Sequence, residues 1–399
     1  MLPRVKIYFE NGALGSVIPS PDGVLGVLAN GVAVPNTFAL GTAYVIKHFT
    51  DLLDNLGITA VNNANIVKFF SNFFTMAGDG TEVWLMAFAD TVPLTDMLDV
   101  TITTNAKALI QAANGRLRGL IATRTPATGY APTVTHAIDD DVYTAQVKAQ
   151  ALAEWATTTL MAPLFVIIEG RSYTGVASDL TDQTASAYNR VGIFIGDTVT
   201  NSGNACMGMI AGRIASVPVM RNIGRVKDGP IASLVAFIKD KSVEKADPGS
   251  IHDKGFITLR TFVGRNGYFF SDDILCTKVT DDYRSLTARR TIDKAYRIAY
   301  DTLLEELLDE IPVNEDGTLQ VPLVKSWQAK VENSIALQMT ANRELSSDIT
   351  NPNDRGVECY IDATQNVVST SRINIKVRVR PFGYSRYIDV YLGFKAVTV

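Results

Sequence analysis

The chain has 399 residues, a formal net charge of -4, and only three cysteines and three histidines. That length exceeds what one core organises and predicts two or three domains. The near-neutral charge excludes global steering onto nucleic acid. The odd, widely spaced Cys206, Cys276 and Cys359 exclude a complete disulfide framework or a zinc motif.

In chain order, residues 5–9 alternate as a strand, with Val5, Ile7 and Phe9 on one face. Residues 24–28 and 32–34 read as strands joined by Asn30 and Gly31, a hairpin-turn dipeptide. Residues 62–76 have helical spacing, with Val67, Phe70 and Phe74 on one face and Gly78 at the end. Residues 82–89, 117–122, 164–169 and 190–195 are apolar runs of strand length. Helical patterns occupy 105–114, 139–157 and 205–214 between and after them. Strands alternating with helices predict a parallel sheet covered on both faces.

The character changes near Pro230. Residues 256–263 alternate as a strand, and Asn266 and Gly267 mark a turn. Residues 283–311 carry the longest helical pattern, through Leu286, Ile292, Ala295, Ile298, Leu303 and Leu307. Arg289, Arg290, Lys294 and Arg297 crowd its first half, and Glu305, Glu306, Asp309 and Glu310 its end. This order opposes the helix macrodipole. It points to partners facing both blocks, or to a solvated charged face. Residues 323–338 read as a second helix, and residues 372–380 and 386–391 as a closing strand pair around a turn at 381–383. The fold class is α/β, α+β overall. The expected divisions are an N-terminal strand and linking segment at 1–40, an α/β domain at 41–230 and a C-terminal α+β domain at 231–399.

Catalytic patterns are weak. Residues 224–229 are too short for a phosphate loop, and no Gly-Lys-Ser/Thr follows them. Asp139, Asp140 and Asp141 precede a helix, where capping explains them better than metal binding. Cys206 sits among small apolar residues beside Met207 and Met209, as a core or interface thiol does. An enzyme would need a concave site near the ends of strands 82–89, 117–122 or 164–169. No catalytic residue, cofactor ligand or metal ligand is assigned. Lys376, Arg378 and Arg380 lie in phase along one strand, with Arg372 continuing the register and Ile375, Val377 and Val379 on the other face. Without a larger basic excess and interleaved aromatics, this stripe points to an acidic protein partner. Protection of a strand edge is the competing explanation.

The segment Gly255, Phe256, Ile257, Thr258, Leu259, Arg260, then Gly264, Arg265, Asn266, Gly267, Tyr268, Phe269, Phe270, resembles the strand and turn before the long C-terminal helix of the contractile tail sheath family. Tyr283, Arg284, Arg289 and Arg290 lead into that helix, and the strands at 373–380 and 387–394 resemble the family's end. The likeness is to the shorter sheath subunits of Bacteroidetes-type phages and prophages, and the N-terminal third matches weakly. It implies a structural subunit that polymerises with itself as stacked, hexameric rings around an inner tail tube protein and contracts to drive the tube through an envelope. Baseplate and tail terminator proteins are the further implied partners, with no direct nucleic-acid contact and no stable membrane insertion. The implied location is a virion tail or contractile injection particle, assembled in the bacterial host cytoplasm. By the same resemblance, Val5, Ile7, Phe9, Tyr387, Ile388, Val390, Leu392 and Phe394 are candidates for strands that link subunits. Arg284, Arg289, Arg290, Arg297, Arg378 and Arg380 are candidates for tube or subunit contact. The alternatives are a non-contractile virion or baseplate protein and an α/β enzyme.

Overall fold

The computed structural model describes residues 21–351 and 353–393. The expected strand at Val5, Ile7 and Phe9 lies outside them, as does Phe394. The chain forms two compact units, Met1–Asp301 and Thr302–Val399. This boundary differs from the one expected near residue 230. The strands that follow that point hydrogen-bond into the first unit's sheet, so their backbone groups place them there.

The first unit is built on eight strands: β1 (Leu25–Asn30), β2 (Ala43–Ile46), β3 (Val83–Phe88), β4 (Gly119–Ala122), β5 (Phe165–Glu169), β6 (Val191–Ile195), β7 (Ile257–Phe262) and β8 (Arg265–Phe270). Their order across the sheet is β8-β7-β6-β5-β4-β1-β3-β2. The six inner strands are parallel, and β2 and β8 close the edges antiparallel. Buried on both faces, β1, β4, β5 and β6 are continuously apolar apart from glycine and the terminal Asn30 and Glu169.

The expected hairpin at Asn30 and Gly31 does not form. β1 is central, between β3 and β4, and its hydrogen bonds go to them. Asn30 instead donates its amide to the Ala89 and Val92 carbonyls and accepts from the Thr125 N–H. It thereby ties together three strand ends. Residues 25–40 therefore belong to the α/β unit and are not a free linking segment.

The main covering helices are α1 (Ala64–Ala77), α2 (Leu94–Leu98), α3 (Ala106–Ala112), α4 (Asp140–Thr159) and α5 (Met207–Ser216). A side chain at Gly26 would meet Leu109 of α3, and one at Gly31 would meet Ile66 of α1. An odd separation along an extended chain means opposite faces, so α1 and α3 cover opposite sides of the sheet. The Asp139 group serves these helices. Asp139 caps α4 by accepting from the Asp141 N–H, and Asp141 accepts from the Leu94 and Thr95 N–H groups that start α2. Asp141 also pairs with buried Arg124 at 2.8 Å.

α1 and α5 cross at contact distance because α5 presents Gly208 and Gly212 to the α1 backbone. A Cβ on Gly212 would sit 2.5 Å from the Phe73 carbonyl oxygen and 2.7 Å from Met76 Cβ. A helix α6 (Pro248–Asp253) precedes β7, and α7 (Leu286–Leu304) follows β8. α7 is shorter than the expected 283–311 and ends before Leu308, which has a left-handed φ of 66°.

The start of α7 rests on buried Asp273. Its carbonyl accepts from the Leu286 N–H and its carboxyl from the Thr287 N–H at 2.8 Å. Asn222 donates to both Asp272 (2.6 Å) and Asp273 (2.7 Å), bringing the two carboxyls together. Burial, then the neighbouring Asp272 carboxyl, raise the pKa of Asp273. Asp272 raises that of His252 through a hydrogen bond, against a smaller opposing effect of burial.

The second unit contains α8 (Val321–Ile335) and one antiparallel pair, β9 (Val357–Ile361) with β10 (Ile375–Val379). The expected closing pair was 372–380 with 386–391. β10 confirms only its first member, because β9 supplies the partner and residues 386–391 form no strand.

Two predictions follow from this packing. Gly212→Val should destabilise the first unit by about 2–3 kcal/mol, because the Phe73 backbone cannot yield. Gly383→Ala, with no neighbour to meet, should leave the urea midpoint unchanged. Asp273 and His252 both have folded pKa values raised above their unfolded values. Their contribution is therefore complete below those unfolded values and is lost as pH rises through the folded ones. Urea titrations should show unfolding free energy falling from about pH 4 to pH 8, with a shallower fall in Asp272→Asn.

Candidate assembly surface

The hairpin of the second unit is amphipathic. Cys359 and Ile361 are buried, while Glu358, Tyr360, Lys376 and Arg378 face outward. α8 brings Val324, Trp327, Val331 and Ile335 into the same core. The ladder pairs Glu358 with Arg378, Cys359 with Val377 and Tyr360 with Lys376. The Arg380 N–H donates to the Gly356 carbonyl at 2.8 Å. Alternation from that bond turns the N–H and C=O groups of Ile375, Val377 and Val379 away from β9. The outer edge of β9 is partly closed, since the Cys359 N–H donates to Glu332 Oε1 of α8. The outer edge of β10 has no partner strand among the described residues.

Beyond β10, residues 381–393 have no regular secondary structure. Tyr387, Ile388, Val390, Tyr391 and Leu392 are each at least 77% exposed. An apolar, strand-patterned segment that pairs with no strand among the described residues thus shares a unit with an open strand edge. Sequence reading singled out this segment as a strand and as a candidate link; the structure leaves it exposed and without regular secondary structure. Sequence reading missed the open edge, because β9 was not recognised as the partner of β10.

The candidate basic residues divide into two groups. Arg378 and Arg380 face outward, Arg380 pairing with Asp354 at 2.5 Å. Arg284 is half-buried and donates to the Val279 carbonyl. Arg289, Arg290 and Arg297 turn inward, against the expectation that they face a partner. Asp293 pairs with Arg289 at 3.1 Å and Arg190 at 3.0 Å. Asp22 meets Lys294 at 2.6 Å and Arg297 at 3.6 Å. Arg290 donates to the Val217 carbonyl, and Arg297 to that of Pro163. Burial, with Arg118 close by, lowers the pKa of Arg297 to about 10, which keeps it charged at neutral pH. The helical pattern showed that these bases share a helix, but not that Asp22, 272 positions from Lys294, lies beneath them.

A crevice does lie at the C-terminal ends of β1, β4 and β5, where an enzyme of this class would place its site. Glu169 at its floor is fully buried and accepts from the Ala205 N–H, the Arg124 N–H and the Thr123 hydroxyl. Burial raises its pKa despite those donors. Burial also pushes the Cys206 thiol far above its usual value, which removes its nucleophilic thiolate. These polar groups hold strand ends together. Among the described residues, no three His, Cys, Asp or Glu side chains converge as a metal site, and no helix is long and apolar enough to cross a membrane.

The sequence matches the family described as DUF2586, N-terminal domain, over residues 2–273 and DUF2586, C-terminal domain, over residues 282–398. No curated protein matches it. Its structure is similar to a chain of the anti-feeding prophage (AFP) baseplate solved by cryo-EM, with a TM-score of 0.65, 15% identity and 99% of both chains covered. It is similar to a chain of the PVC sheath complex, an extracellular contractile injection system in its contracted state, with a TM-score of 0.60, 16% identity and 98% and 97% covered. A sheath tail protein from Desulfitobacterium hafniense aligns with a TM-score of 0.52 and 9% identity over 90% and 94% of the two chains. The resemblance read from residues 255–399 thus extends across the whole fold. The chain belongs to the DUF2586 family and has the fold of contractile sheath proteins.

Proposed function

We propose that this chain is a structural subunit of a contractile sheath, polymerising around an inner tube within a phage tail or injection particle. The observation that carries this reading is the whole-chain likeness to the PVC sheath structure, both units included. The open β10 edge and the exposed 387–392 segment supply a physical means of linkage. A strand added to β10 would bond to the outward N–H and C=O groups of Ile375, Val377 and Val379. Main-chain pairing of this kind holds register while flanking loops bend, so it can persist as subunits rotate. Tyr387, Ile388, Val390 and Leu392 are the donated residues in this reading. Val5, Ile7, Phe9 and Phe394 remain candidates on pattern alone. Arg378, Arg380 and Arg284 are the bases available to a partner, whether a neighbouring subunit or the tube. Stacked hexameric rings, contacts with baseplate and terminator proteins, and assembly in a bacterial cytoplasm belong to the same proposal.

The likeness to a chain of the AFP baseplate favours a second reading, a baseplate component that does not contract. Electron microscopy of the purified full chain separates them. Long helical tubes with a wide lumen are expected, and discrete small rings would favour the baseplate role.

Deleting residues 387–399 should leave a folded, soluble chain that makes no tubes; normal assembly of this truncation would remove the linking role of the segment. Val377→Pro gives an independent check. The lost N–H points away from β9, so the hairpin should survive while strand addition is blocked. Unfolding measured by circular dichroism should change little, and particle yield should collapse.

A further inference from the structure

The second unit segregates its charge. Residues 305–316 contain Glu305, Glu306, Asp309, Glu310, Glu315 and Asp316, with no lysine or arginine from 298 to 324. Residues 372–386 contain Arg372, Lys376, Arg378, Arg380 and Arg386, with no acid from 363 to 388. Local partners neutralise only part of each block. Lys330 takes Glu305 at 2.9 Å and Glu306 at 2.5 Å, Asp354 takes Arg380, Glu358 lies across the ladder from Arg378, and Asp362 is close to Lys376, which leaves the hairpin face with a small basic excess. Asp309 and Glu310 of one block and Lys376 and Arg378 of the other all face solvent.

Each block also carries exposed apolar surface. Leu307 is 66% and Leu308 96% exposed, directly beside Asp309 and Glu310. Leu308 holds a left-handed backbone that costs a leucine roughly 1 kcal/mol. A solvent-facing leucine held in that conformation, between acids, gains nothing inside its own chain. On the outward face of the hairpin, Tyr360 is 51% exposed and lies across from Lys376.

We propose that the acidic leucine segment at 304–310 of one copy docks on the outward face of the β9–β10 hairpin of the next. Asp309 and Glu310 meet Lys376 and Arg378, and Leu307 and Leu308 lie against Tyr360. The occupant is a second copy because the two surfaces complement each other in both charge and apolar content. Since they are different surfaces, the contact is heterologous and repeats from copy to copy, closing a ring or running on as an open array according to the rotation between copies. This docking rests on the sheath reading, for which it supplies a side-chain contact distinct from the main-chain link at β10. Its exposed charges are screened by salt, so it breaks more easily than the strand link.

Charge exchange in the full chain tests it. The variants are Asp309→Lys with Glu310→Lys, and Lys376→Glu with Arg378→Glu, each first checked as a folded monomer by circular dichroism and thermal melting. Each double variant should raise the concentration needed for assembly about tenfold or more. An equimolar mixture should assemble again, because each variant's altered surface complements the other's, and the quadruple variant should recover as well. If the parent and both double variants assemble alike, the docking is wrong while the sheath reading stands. If only the basic-face variant fails, the hairpin meets another acidic surface, such as a tube protein, and the docking is again overturned. A parent chain that stays monomeric in sedimentation overturns both.

Discussion

The first unit depends on a buried ionic layer beneath the N-terminal ends of its parallel strands. Asp22 stands just before β1, Arg118 just before β4 and Arg190 just before β6. α7 crosses beside all three. Lys294 and Arg297 reach Asp22, while Asp293 takes Arg190 and Arg289. Arg190 also donates to the Leu164 carbonyl at the start of β5. Two carboxylates thus coordinate cations from several chain segments, and the Leu164 and Pro163 carbonyls that open β5 accept from Arg190 and Arg297. Removing one partner from such a layer leaves an uncompensated buried charge, which costs about 3–5 kcal/mol. The layer therefore specifies where α7 sits and which strand ends lie beneath it.

This layer explains the inverted charge order along α7. Bases in the first half of a helix oppose its dipole. Here they answer acids from elsewhere in the same chain, and a direct ion pair in a dry setting outweighs the screened dipole term. Sequence reading allowed for a partner or a solvated face. The partner is the protein's own interior, and the opposed blocks of exposed charge lie instead in the second unit.

The two units do different work. In the first, buried polar groups are spent on holding strand ends: Asn30 across β1 and its neighbours, Asp141 on α2, Glu169 on the loops after β4 and β6. That leaves the crevice at the strand C-termini without an activated nucleophile. In the second, among the described residues, the outward backbone groups of β10 meet no strand, residues 387–392 are exposed, and part of each of two blocks of opposite charge faces solvent. That asymmetry is compatible with the proposed sheath role, in which the core is complete before assembly and the edges are not.

The sequence by itself determined the element types in the α/β region, because parallel strands buried on both faces must be continuously apolar and their helices must keep 3.6-residue spacing. Its alternation also marked residues 387–392 as a strand, which they do not form in this chain. Only the tertiary structure decided strand partners. A local Asn-Gly signal yielded to β1's place in the centre of the sheet, and β10 paired with β9 instead of with the segment after it. Tertiary structure also decided the division between Asp301 and Thr302. Hydrogen bonding across a sheet and ion pairing across 272 positions leave no mark on local periodicity. The same holds for the direction each arginine faces, which follows from where the distant acids fold.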